Sequence, residues 1–416
     1  MSWSQHAIWW HVYPLGFTDA PIREGDTRTG RGFAHLTGWL DYVVELGLNG
    51  IILGPIFASS SHGYDTLDYF AIDPRLGTEA DFDEFLAACR ARGIRVLLDG
   101  VFSHVSIDYP PLKAALEAGP DSPGAAEFDI DVDAPGGPAP RVWEGHGSLA
   151  RFNHGSEAAR STVRDVMRHW LARGIDGWRL DAAYSVPSDF WRAVLPPVRE
   201  EFPEAYFVGE VIHGDYIAFV DDSGVDSLTQ YELWKAIFSS IESANFFELE
   251  WTLGRHNTLL EHFVPLTFVG NHDTSRLASV IGADGALAAH ALLLTLGGAP
   301  SLYYGDEQLF RGVKEERIGG DDDVRQAFPA TPSDLLASGE AMREQIAALV
   351  GLRRRHPWLV RAATEVLEVQ NESLVYRVRE RDGDGFLTVH ARVADGGAHV
   401  RIDAADGSEL WSQRPV

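Results

Sequence analysis

The chain has 416 residues, 45% of them hydrophobic and 11% aromatic, which suits one large α/β barrel with a small additional domain. The formal net charge of −26 argues against nucleic acids and anionic membranes as partners, and favours a neutral ligand. The single cysteine, Cys89, excludes an intramolecular disulfide, so the fold does not depend on an oxidising compartment.

No targeting or membrane-spanning segment is predicted. The first residues lack the basic and apolar regions of a signal peptide. The longest apolar run, 286–304, is interrupted by His290 and Pro300, which predicts a buried helix followed by a strand. We therefore expect a soluble, cytoplasmic protein that does not associate with a membrane, and the sequence leaves its oligomeric state open.

Strand and helix signals alternate from the start of the chain. A strand at 8–13 precedes a helix at 35–46, and Thr78 and Asp81 form a capping box at the start of another helix. The segment 94–99 is a nearly continuous apolar strand, as expected in a parallel sheet. The alternation indicates repeated strand–helix units.

The alternation is interrupted once and then resumes. Residues 106–156 are rich in Pro, Gly, Asp and Ala, and they predict an insertion with one short helix at 112–117. An amphipathic helix at 157–173 follows, then a short strand at 177–181. Further units continue to about residue 304, and eight such units close into a barrel.

The predicted fold class is α/β, a (β/α)8 TIM barrel with a short insertion after the third strand and a small C-terminal antiparallel β domain. The barrel is assigned to 1–105 and 157–355, and the insertion to 106–156. The C-terminal domain is assigned to 356–416, where hydrophobic residues recur with period two around a turn at 381–385.

Polar side chains follow the ends of several predicted strands. In chain order they are Tyr64, Asp99, His104, Arg179, Asp181, Glu210, His272 and Asp273. Because the C-terminal ends of barrel strands meet at one opening, we expect these side chains to converge there. Three carboxylates close to His or Arg are not typical of a solvated surface.

Arg179 and Asp181 share one face of their strand, because side chains alternate along a strand. An adjacent cation keeps a carboxylate ionised. From this stretch alone, a structural salt bridge is the simpler interpretation. The other groups at the opening favour a catalytic one.

Four ordered segments resemble the signatures of the α-amylase family of glycoside hydrolases. They are DGVFSH at 99–104, GWRLD at 177–181, VGEV at 208–211 and FVGNHD at 268–273. The similarity covers roughly residues 8–330. The residues in and around these segments are most similar to those of the maltogenic amylase, neopullulanase and cyclomaltodextrinase group. The N-terminal β domain that is usual in that group is not found in this sequence.

The resemblance implies retaining hydrolysis of α-glucosides, such as malto-oligosaccharides or related α-glucans, through a covalent glycosyl-enzyme intermediate. Asp181 is then the nucleophile and Glu210 the acid and base, for which it needs a raised pKa. Asp273 would hold hydroxyl groups of the sugar and favour the oxocarbenium-like state. The expected substrate-binding residues are Tyr64, by stacking, and His104, Arg179, His272 and His213.

No metal or other cofactor is predicted. The sequence has no HExxH segment and no Cys/His cluster with ligand spacing. Many members of the family bind calcium partly through an Asn immediately before the His of the first signature, but Ser103 stands there. Tyr184 and Ser185 also stand where a Lys-His pair often follows the nucleophile. Calcium at another place in the chain is left open.

Several alternatives are kept. Arg179 can be a structural partner as well as a substrate contact, and Trp143 in the insertion can be plain packing or a platform for a sugar. At the level of function, the alternatives are a transglycosylase or a sucrose- or trehalose-type enzyme with the same intermediate. A catalytically silent binding barrel and a metal-dependent barrel enzyme are further alternatives.

Overall fold

The computed structural model describes residues 3–23, 26, 28, 30–317, 319–394 and 397–416. The α-helices in this part of the chain are α1 Pro14–Phe17, α2 Gly32–Gly38, α3 Leu40–Glu45, α4 Glu79–Ala91, α5 Pro110–Ala118, α6 Glu157–Arg173, α7 Ser188–Glu201, α8 Tyr216–Ser223, α9 Tyr231–Glu242, α10 Phe247–His262, α11 Leu277–Val280, α12 Gly282–Thr295 and α13 Ala337–Arg355. Short 3₁₀ helices are Trp3–His6, Pro123–Glu127, Ala183–Ser185, Asp306–Gln308, Asp322–Val324, Pro332–Asp334 and Pro357–Arg361.

Eight strands form one sheet, the sheet of the predicted barrel. They are β1 Trp9–Val12, β2 Gly50–Leu53, β3 Arg95–Gly100, β4 Gly177–Leu180, β5 Tyr206–Gly209, β6 Ser227–Leu228, β7 Leu266–Phe268 and β8 Ala299–Tyr303. Their order is β6-β5-β4-β3-β2-β1-β8-β7, and a parallel bridge joins Thr229, just after β6, to Leu266 of β7. The barrel predicted from the alternation of strands and helices is confirmed.

Five further strands form a C-terminal antiparallel sheet in chain order. They are β9 Ala363–Val369, β10 Ser373–Arg379, β11 Phe386–Ala394, β12 Gly397–Asp403 and β13 Glu409–Ser412. The antiparallel C-terminal β structure predicted from the period-two pattern is confirmed. The Tyr376 hydroxyl lies 2.7 Å from that of Thr295 on α12, and Asn257 on α10 bonds the backbone of Thr364, so the sheet packs on these helices.

The described residues divide into two compact units. Unit A comprises Tyr13–Thr37 and Ile52–Leu228, and it carries β3 to β6. Unit B comprises Met1–Val12, Gly38–Ile51 and Thr229–Val416, and it carries β1, β7, β8 and the C-terminal sheet.

The inserted segment of unit A is more ordered than its composition suggested. It contains α5 and the short strands His104–Ser106, Ile130–Asp131, Ala139–Pro140, Val142–Trp143 and His146–Arg151. Two other short strands of unit A, Phe57–Ser59 and Thr66–Ile72, pair with each other. The strand His146–Arg151 pairs with both His104–Ser106 and Val142–Trp143, so it fixes Trp143 relative to the end of β3.

The helix α6 illustrates how the local sequence specifies the fold. Ser156 caps its first turn, and Gly174 ends it in the left-handed conformation at φ 108°. Val163, Val166 and Trp170 on its apolar face are fully buried, and each such burial contributes about 1.5–3 kcal/mol. The helix therefore ends shortly before β4, and the candidate nucleophile directly follows that strand.

One helix departs from its predicted bounds. The segment 35–46 was expected to form a single helix, but α2 ends at Gly38 and α3 begins at Leu40. Trp39 between them has φ −102° and ψ 0°, and its indole N–H donates to the carbonyl of Pro329 at 3.1 Å. The flexible Gly38 and this fully buried indole account for the break.

None of the helices in the described part of the chain combines the length and the apolarity that a membrane-crossing segment needs. The run 286–304 forms most of α12 followed by β8, as predicted. Cys89, the single cysteine of the chain, is buried on α4.

Candidate active site

The candidate site in unit A lies at the C-terminal ends of β3, β4 and β5. Parallel pairing places Arg179 on β4 beside Asp99 on β3 and Val208 on β5. A side chain at Gly177 would put its Cβ 2.0 Å from the Tyr206 carbonyl oxygen, so this close strand approach requires glycine. The register brings Asp181 and Glu210, each one residue beyond its strand, to adjacent positions.

One guanidinium holds three carboxylates together. Arg179 Nη1 lies 2.6 Å from both Asp99 oxygens and 3.4 Å from Asp181 Oδ1, and Nη2 lies 2.6 Å from Glu210 Oε1. The exposed fractions are 0% for Asp99, 2% for Arg179, 8% for Asp181 and 5% for Glu210. The group is therefore a desolvated cluster of three carboxyl groups around one guanidinium.

Burial and neighbouring charges shift two of these groups. Burial raises the pKa of Asp99 to about 6, and Arg179 opposes this shift only in part. Burial alone disfavours the cation of Arg179, but the carboxylates of Asp99 and Glu210 raise its pKa well above the usual value. Arg179 is therefore a permanent cation. Asp99, which also accepts from the Tyr64 hydroxyl at 3.1 Å, orients both neighbours.

The residue after Asp181 adopts an uncommon backbone conformation. Ala182 has φ 44° and ψ 38°, a left-handed backbone conformation that residues other than glycine rarely adopt. This turn directs the Ala182 N–H to Glu210 Oε2 at 3.0 Å. The backbone N–H of Tyr184 also donates to the Glu210 carbonyl at 3.2 Å. The strained turn thus connects the loops that carry Asp181 and Glu210.

His104 uses both ring nitrogens within the protein. Its Nε2 lies 2.9 Å from the Tyr64 carbonyl oxygen, which can only accept, so Nε2 carries the hydrogen. Its Nδ1 accepts from the Ser103 hydroxyl at 2.8 Å. Burial lowers the pKa of His104 to about 4, so the ring is neutral. In this arrangement the N–H expected to bind a sugar hydroxyl is bonded to Tyr64.

Trp143 of the insertion packs on His104. The two ring centroids are 4.5 Å apart at an interplanar angle of 33°. The indole N–H of Trp143 donates to the Ser185 hydroxyl at 3.1 Å. Ser185, noted in the sequence because a Lys-His pair often stands there, therefore connects the insertion to the loop after Asp181.

Tyr184, in the same loop after Asp181, lies close to two further polar side chains. The Tyr184 hydroxyl lies 3.4 Å from Glu144 Oε2, and the Tyr184 ring lies 6.0 Å from that of the exposed His213. Tyr64 is half-buried, so part of its ring is accessible. Unit A thus brings together the predicted residues Tyr64, Arg179, Asp181 and Glu210, places His104 beside Tyr64, and leaves His213 beside Tyr184.

In unit B, His272 and Asp273 follow β7. His272 is buried, with its ring 5.0 Å from that of His11, and its Nε2 lies 3.1 Å from Asp273 Oδ2. Arg325 Nη2 lies 2.8 Å from Asp273 Oδ1, and Arg325 Nε donates to the His272 carbonyl at 3.0 Å. Asn271 fixes the turn by accepting from the Asp273 N–H at 3.0 Å. The carboxylate of Asp273 is therefore held from two sides.

The sequence did not predict two contacts of the site, that of Arg325 with Asp273 and that of Ser185 with Trp143. Arg325 lies 52 residues from Asp273, just after the acidic residues 321–323, and no motif of the sequence pairs the two. Ser185 departs from the family pattern, but nothing in the sequence pairs it with Trp143, 42 residues away. For Ser185, the only signal in the sequence is the absence of the usual Lys-His pair.

No group of three or more His, Cys, Asp or Glu side chains that could hold a metal ion occurs among the described residues. Ser103, which stands where relatives often use Asn for calcium, has its hydroxyl bonded to His104. The expectation concerning calcium remains a prediction.

Comparison with known proteins identifies the family. The family model that describes the α-amylase catalytic domain matches residues 11–131 and 142–372, which is most of the chain. The chain belongs to the α-amylase family. The glycoside hydrolase family predicted from the four ordered segments is thus confirmed, together with its barrel.

Individual relatives agree with this assignment. A maltogenic α-amylase of Bacillus acidopullulyticus is 29% identical over 86% of this chain and 64% of its own length. Neopullulanase 2 of Thermoactinomyces vulgaris is 30% identical over 99% of this chain and 75% of its own. The chain thus spans about two thirds of the length of such curated relatives.

Among solved structures, the ligand-free cyclic α-maltosyl-(1→6)-maltose hydrolase of Arthrobacter globiformis has a TM-score of 0.82 and 25% identity. The match covers 97% of this chain and 99% of that one, so the two chains are similar in length as well as in fold.

Proposed function

We propose that the chain is a retaining α-glucoside hydrolase that acts on malto-oligosaccharides or related α-glucans through a covalent glycosyl-enzyme intermediate. One observation carries the proposal. The buried carboxyls of Asp181 and Glu210 contact two nitrogens of the same guanidinium, that of Arg179, so they lie close together. Retaining glycosidases need their two carboxyl groups about 5–5.5 Å apart.

Asp181 is the nucleophile in this proposal. Arg179 keeps its carboxylate ionised, and its exposed fraction of 8% leaves it accessible to a substrate. Its oxygen forms a bond to the anomeric carbon while the bond between that carbon and the glycosidic oxygen breaks. Water then attacks the same carbon, the sugar is released with its original configuration, and the carboxylate is regenerated.

Glu210 is the acid in the first step and the base in the second. In the free protein, one oxygen of its carboxylate accepts from Arg179 and the other from the Ala182 N–H. When Glu210 is protonated to serve as the acid, its oxygens become weaker acceptors, so we expect at least one of these contacts to rearrange. The strained Ala182 turn makes this rearrangement local, because it joins the loops of Asp181 and Glu210.

Asp273 has a stabilising role that rests on the order of the four motifs. Its carboxylate is oriented by His272 and Arg325, and its side chain remains 34% exposed. Such a carboxylate can hold two sugar hydroxyls and favour the distorted, oxocarbenium-like ring.

The substrate-binding roles of Tyr64, His104, Arg179, His272 and His213 belong to the same proposal. Tyr64 offers a partly exposed ring for stacking against a sugar. Because the His104 N–H is bonded to the Tyr64 carbonyl, His104 can also act by fixing Tyr64. The exposed ring of His213, beside Tyr184, suits the acceptor side of the site.

The names of the relatives narrow the substrate class. The two enzymes described above are named for maltogenic action and for pullulan, and the Arthrobacter enzyme is named for a cyclic tetrasaccharide with 1→6 linkages. That enzyme is also similar in length to this chain. The substrates to compare are therefore maltotriose, cyclodextrins, pullulan and cyclic α-maltosyl-(1→6)-maltose.

The first test is turnover of this panel, with sucrose and trehalose included, followed by chromatography and by proton NMR of the newly formed anomer. We expect hydrolysis of at least one α-glucan with release of the α-anomer, and Asp181→Asn should lower kcat by at least about 10⁴-fold. Asp221→Asn, at an exposed carboxylate of α8, is the matched control. Failure to cleave any α-glucoside, or initial release of the β-anomer, would refute the proposal.

A second test separates the roles of the two carboxyls. Glu210→Gln should impair maltotriose strongly but aryl α-glucosides with good leaving groups much less, because these need little protonation. With an activated fluorosugar, this variant should accumulate a glycosyl adduct on Asp181 that mass spectrometry can locate. Equal losses on both substrates would contradict the acid role.

A further inference from the structure

A row of basic side chains crosses the solvent face of the C-terminal sheet. Arg392 on β11 pairs directly with His399 on β12. On the other side of β12, Arg401 pairs with Ser412, and the Gln413 N–H donates to the Val400 carbonyl at 2.9 Å. Continued by two residues, this register places Arg414 opposite His399.

The three side chains border one cavity of about 400 Å³. The other lining residues are Asp284, Ala394, Gly397, Ala398, Gln413 and Pro415. A cavity of this size is in the range that holds small molecules. It lies entirely within unit B, on residues to which the proposed hydrolase activity assigns no role.

The row is electrostatically unusual for this chain. The chain has 61 acidic against 35 basic residues, so acidic partners for an arginine are abundant. Yet the guanidiniums of Arg392 and Arg414 have no hydrogen bond or ion pair with any described residue. Two guanidiniums in this position suit an anionic ligand.

The neighbouring row shows how this sheet neutralises cations elsewhere. There, Arg401 pairs across the strands with His390, and the Asp403 carboxylate lies 2.9 Å from Arg401 Nη2 and 3.1 Å from His390 Nε2. Two residues further along both strands, at Arg392 and His399, no carboxylate of a described residue makes such a contact. The difference favours an external anion at the Arg392 row over a general basic surface.

The two arginines can act on one anion. Strands lie about 4.8 Å apart, so Arg392 and Arg414 are roughly 10 Å apart at the backbone, with His399 between them. Long side chains can close that distance. A phosphoryl group offers three terminal oxygens, enough for both guanidiniums, which bind such oxygens in a bidentate manner.

Asp284 adds an acidic side chain, a hydrogen-bond acceptor, to the otherwise basic lining of the cavity. It lies in the first turn of α12, and its Oδ2 would be 3.7 Å from a Cβ built at Gly397. A carboxylate repels phosphate but accepts hydrogen bonds from hydroxyl groups. The cavity therefore combines anion binding at one side with hydroxyl recognition at the other.

We propose that this cavity binds the phosphoryl group of a small hydroxylated molecule, such as a sugar phosphate. Arg392 and Arg414 bind the phosphoryl oxygens, with His399 between them, and Asp284 accepts from hydroxyl groups. The site involves binding only, without a covalent step, and it is independent of the hydrolysis proposed above.

The test is calorimetric titration of the full chain with inorganic phosphate, glucose 6-phosphate and glucose at low ionic strength. We expect phosphate to bind, glucose 6-phosphate to bind more tightly, and both affinities to fall with added salt. Arg392→Gln and Arg414→Gln should each weaken phosphate binding by about tenfold or more. This loss distinguishes the cavity from any binding at the catalytic residues.

Two further variants complete the design. Arg379→Gln removes one positive charge from β10 of the same sheet, where Arg379 pairs with Glu365, and should change phosphate affinity less than about twofold. Asp284→Asn should tighten inorganic phosphate but reduce the preference for glucose 6-phosphate over phosphate. Absence of phosphate binding, or equal binding by wild type and both arginine variants, would overturn the proposal.

Discussion

Arg179 and Glu210 form a buried ion pair, with Nη2 of the guanidinium 2.6 Å from Oε1 of the carboxylate. The same guanidinium contacts Asp181 and Asp99, so the proposed nucleophile and the proposed acid share one cation. Desolvation strengthens each of these contacts and also makes an unpaired charge costly. The arrangement makes Arg179 the centre of both the stability and the chemistry of this cluster.

We predict that Arg179→Met lowers the free energy of unfolding by about 3–5 kcal/mol, because it leaves buried carboxylates without their cation. The loss should be larger at pH 8 than at pH 5. Burial already raises the pKa of Asp99 to about 6 in the wild type. In the variant, the folded state therefore binds protons as the pH falls, and this protonation removes the unpaired buried charge that destabilises it. Urea unfolding at both pH values measures this.

Arg192→Met is the control for Arg179→Met. Arg192 pairs with Asp222 in solvent, with side-chain exposures of 56% and 61%, so its removal should cost less than about 1 kcal/mol. Comparable losses for the two variants, or a loss at Arg179 that does not depend on pH, would contradict the account of the buried cluster.

For His104 we predict the opposite pH dependence, a contribution to stability that is lost as the pH falls. Burial lowers the pKa of His104 to about 4, below the usual value of about 6.5, so the folded state binds fewer protons between these values. The stabilisation is complete above pH 6.5 and is lost as the pH falls towards 4. We therefore expect the advantage of wild type over His104→Asn to shrink by up to about 3 kcal/mol between pH 7 and pH 4.5.

The measurement is the free energy of unfolding of wild type and His104→Asn across this pH range. His213→Asn replaces an exposed imidazole and controls for the loss of a histidine as such. Parallel pH dependences for wild type and His104→Asn would show that the neutral, buried state of His104 does not contribute to acid sensitivity.

How much of the site could be predicted depends on how each contact arises. Asp181 and Glu210 were predictable because they directly follow strands, and the parallel register of β4 and β5 brings such positions together. The stacking of Trp143 on His104 was not predictable, because it depends on the path of the insertion, whose short strands have no clear periodicity in the sequence. Periodicity likewise could not predict the helix break at Trp39, which depends on a partner, Pro329, 290 residues away.

The hydrogen bond from Trp143 to Ser185 predicts a measurable coupling. Trp143→Phe keeps an aromatic ring over His104 but removes the indole N–H, and Ser185→Ala removes the acceptor. In a double-mutant cycle, we expect a coupling energy of about 1 kcal/mol in unfolding free energy. Additive effects of the two substitutions would mean that the bond contributes nothing, and that stacking alone holds the insertion at this point.

The contact of Arg325 with Asp273 predicts a positioning role in catalysis. Arg325 Nη2 lies 2.8 Å from Asp273 Oδ1, and Nε donates to the His272 carbonyl, so both residues of the turn depend on one guanidinium. Arg325→Gln should lower kcat by about 10–100-fold, because a displaced carboxylate stabilises the transition state poorly. KM should change less, and Arg325→Lys should restore little, since an ammonium lacks the planar fork.

Steady-state kinetics on the best substrate of the panel would test the role of Arg325, with unfolding curves to confirm that each variant folds. Arg311→Gln, an exposed arginine whose side chain bonds no described residue, is the matched control and should leave kcat unchanged. If Arg325→Gln retained wild-type kcat in a folded protein, the orientation of Asp273 would not depend on Arg325. If kcat and stability fell in the same proportion in Arg325→Gln and Arg325→Lys, the contact would be structural only.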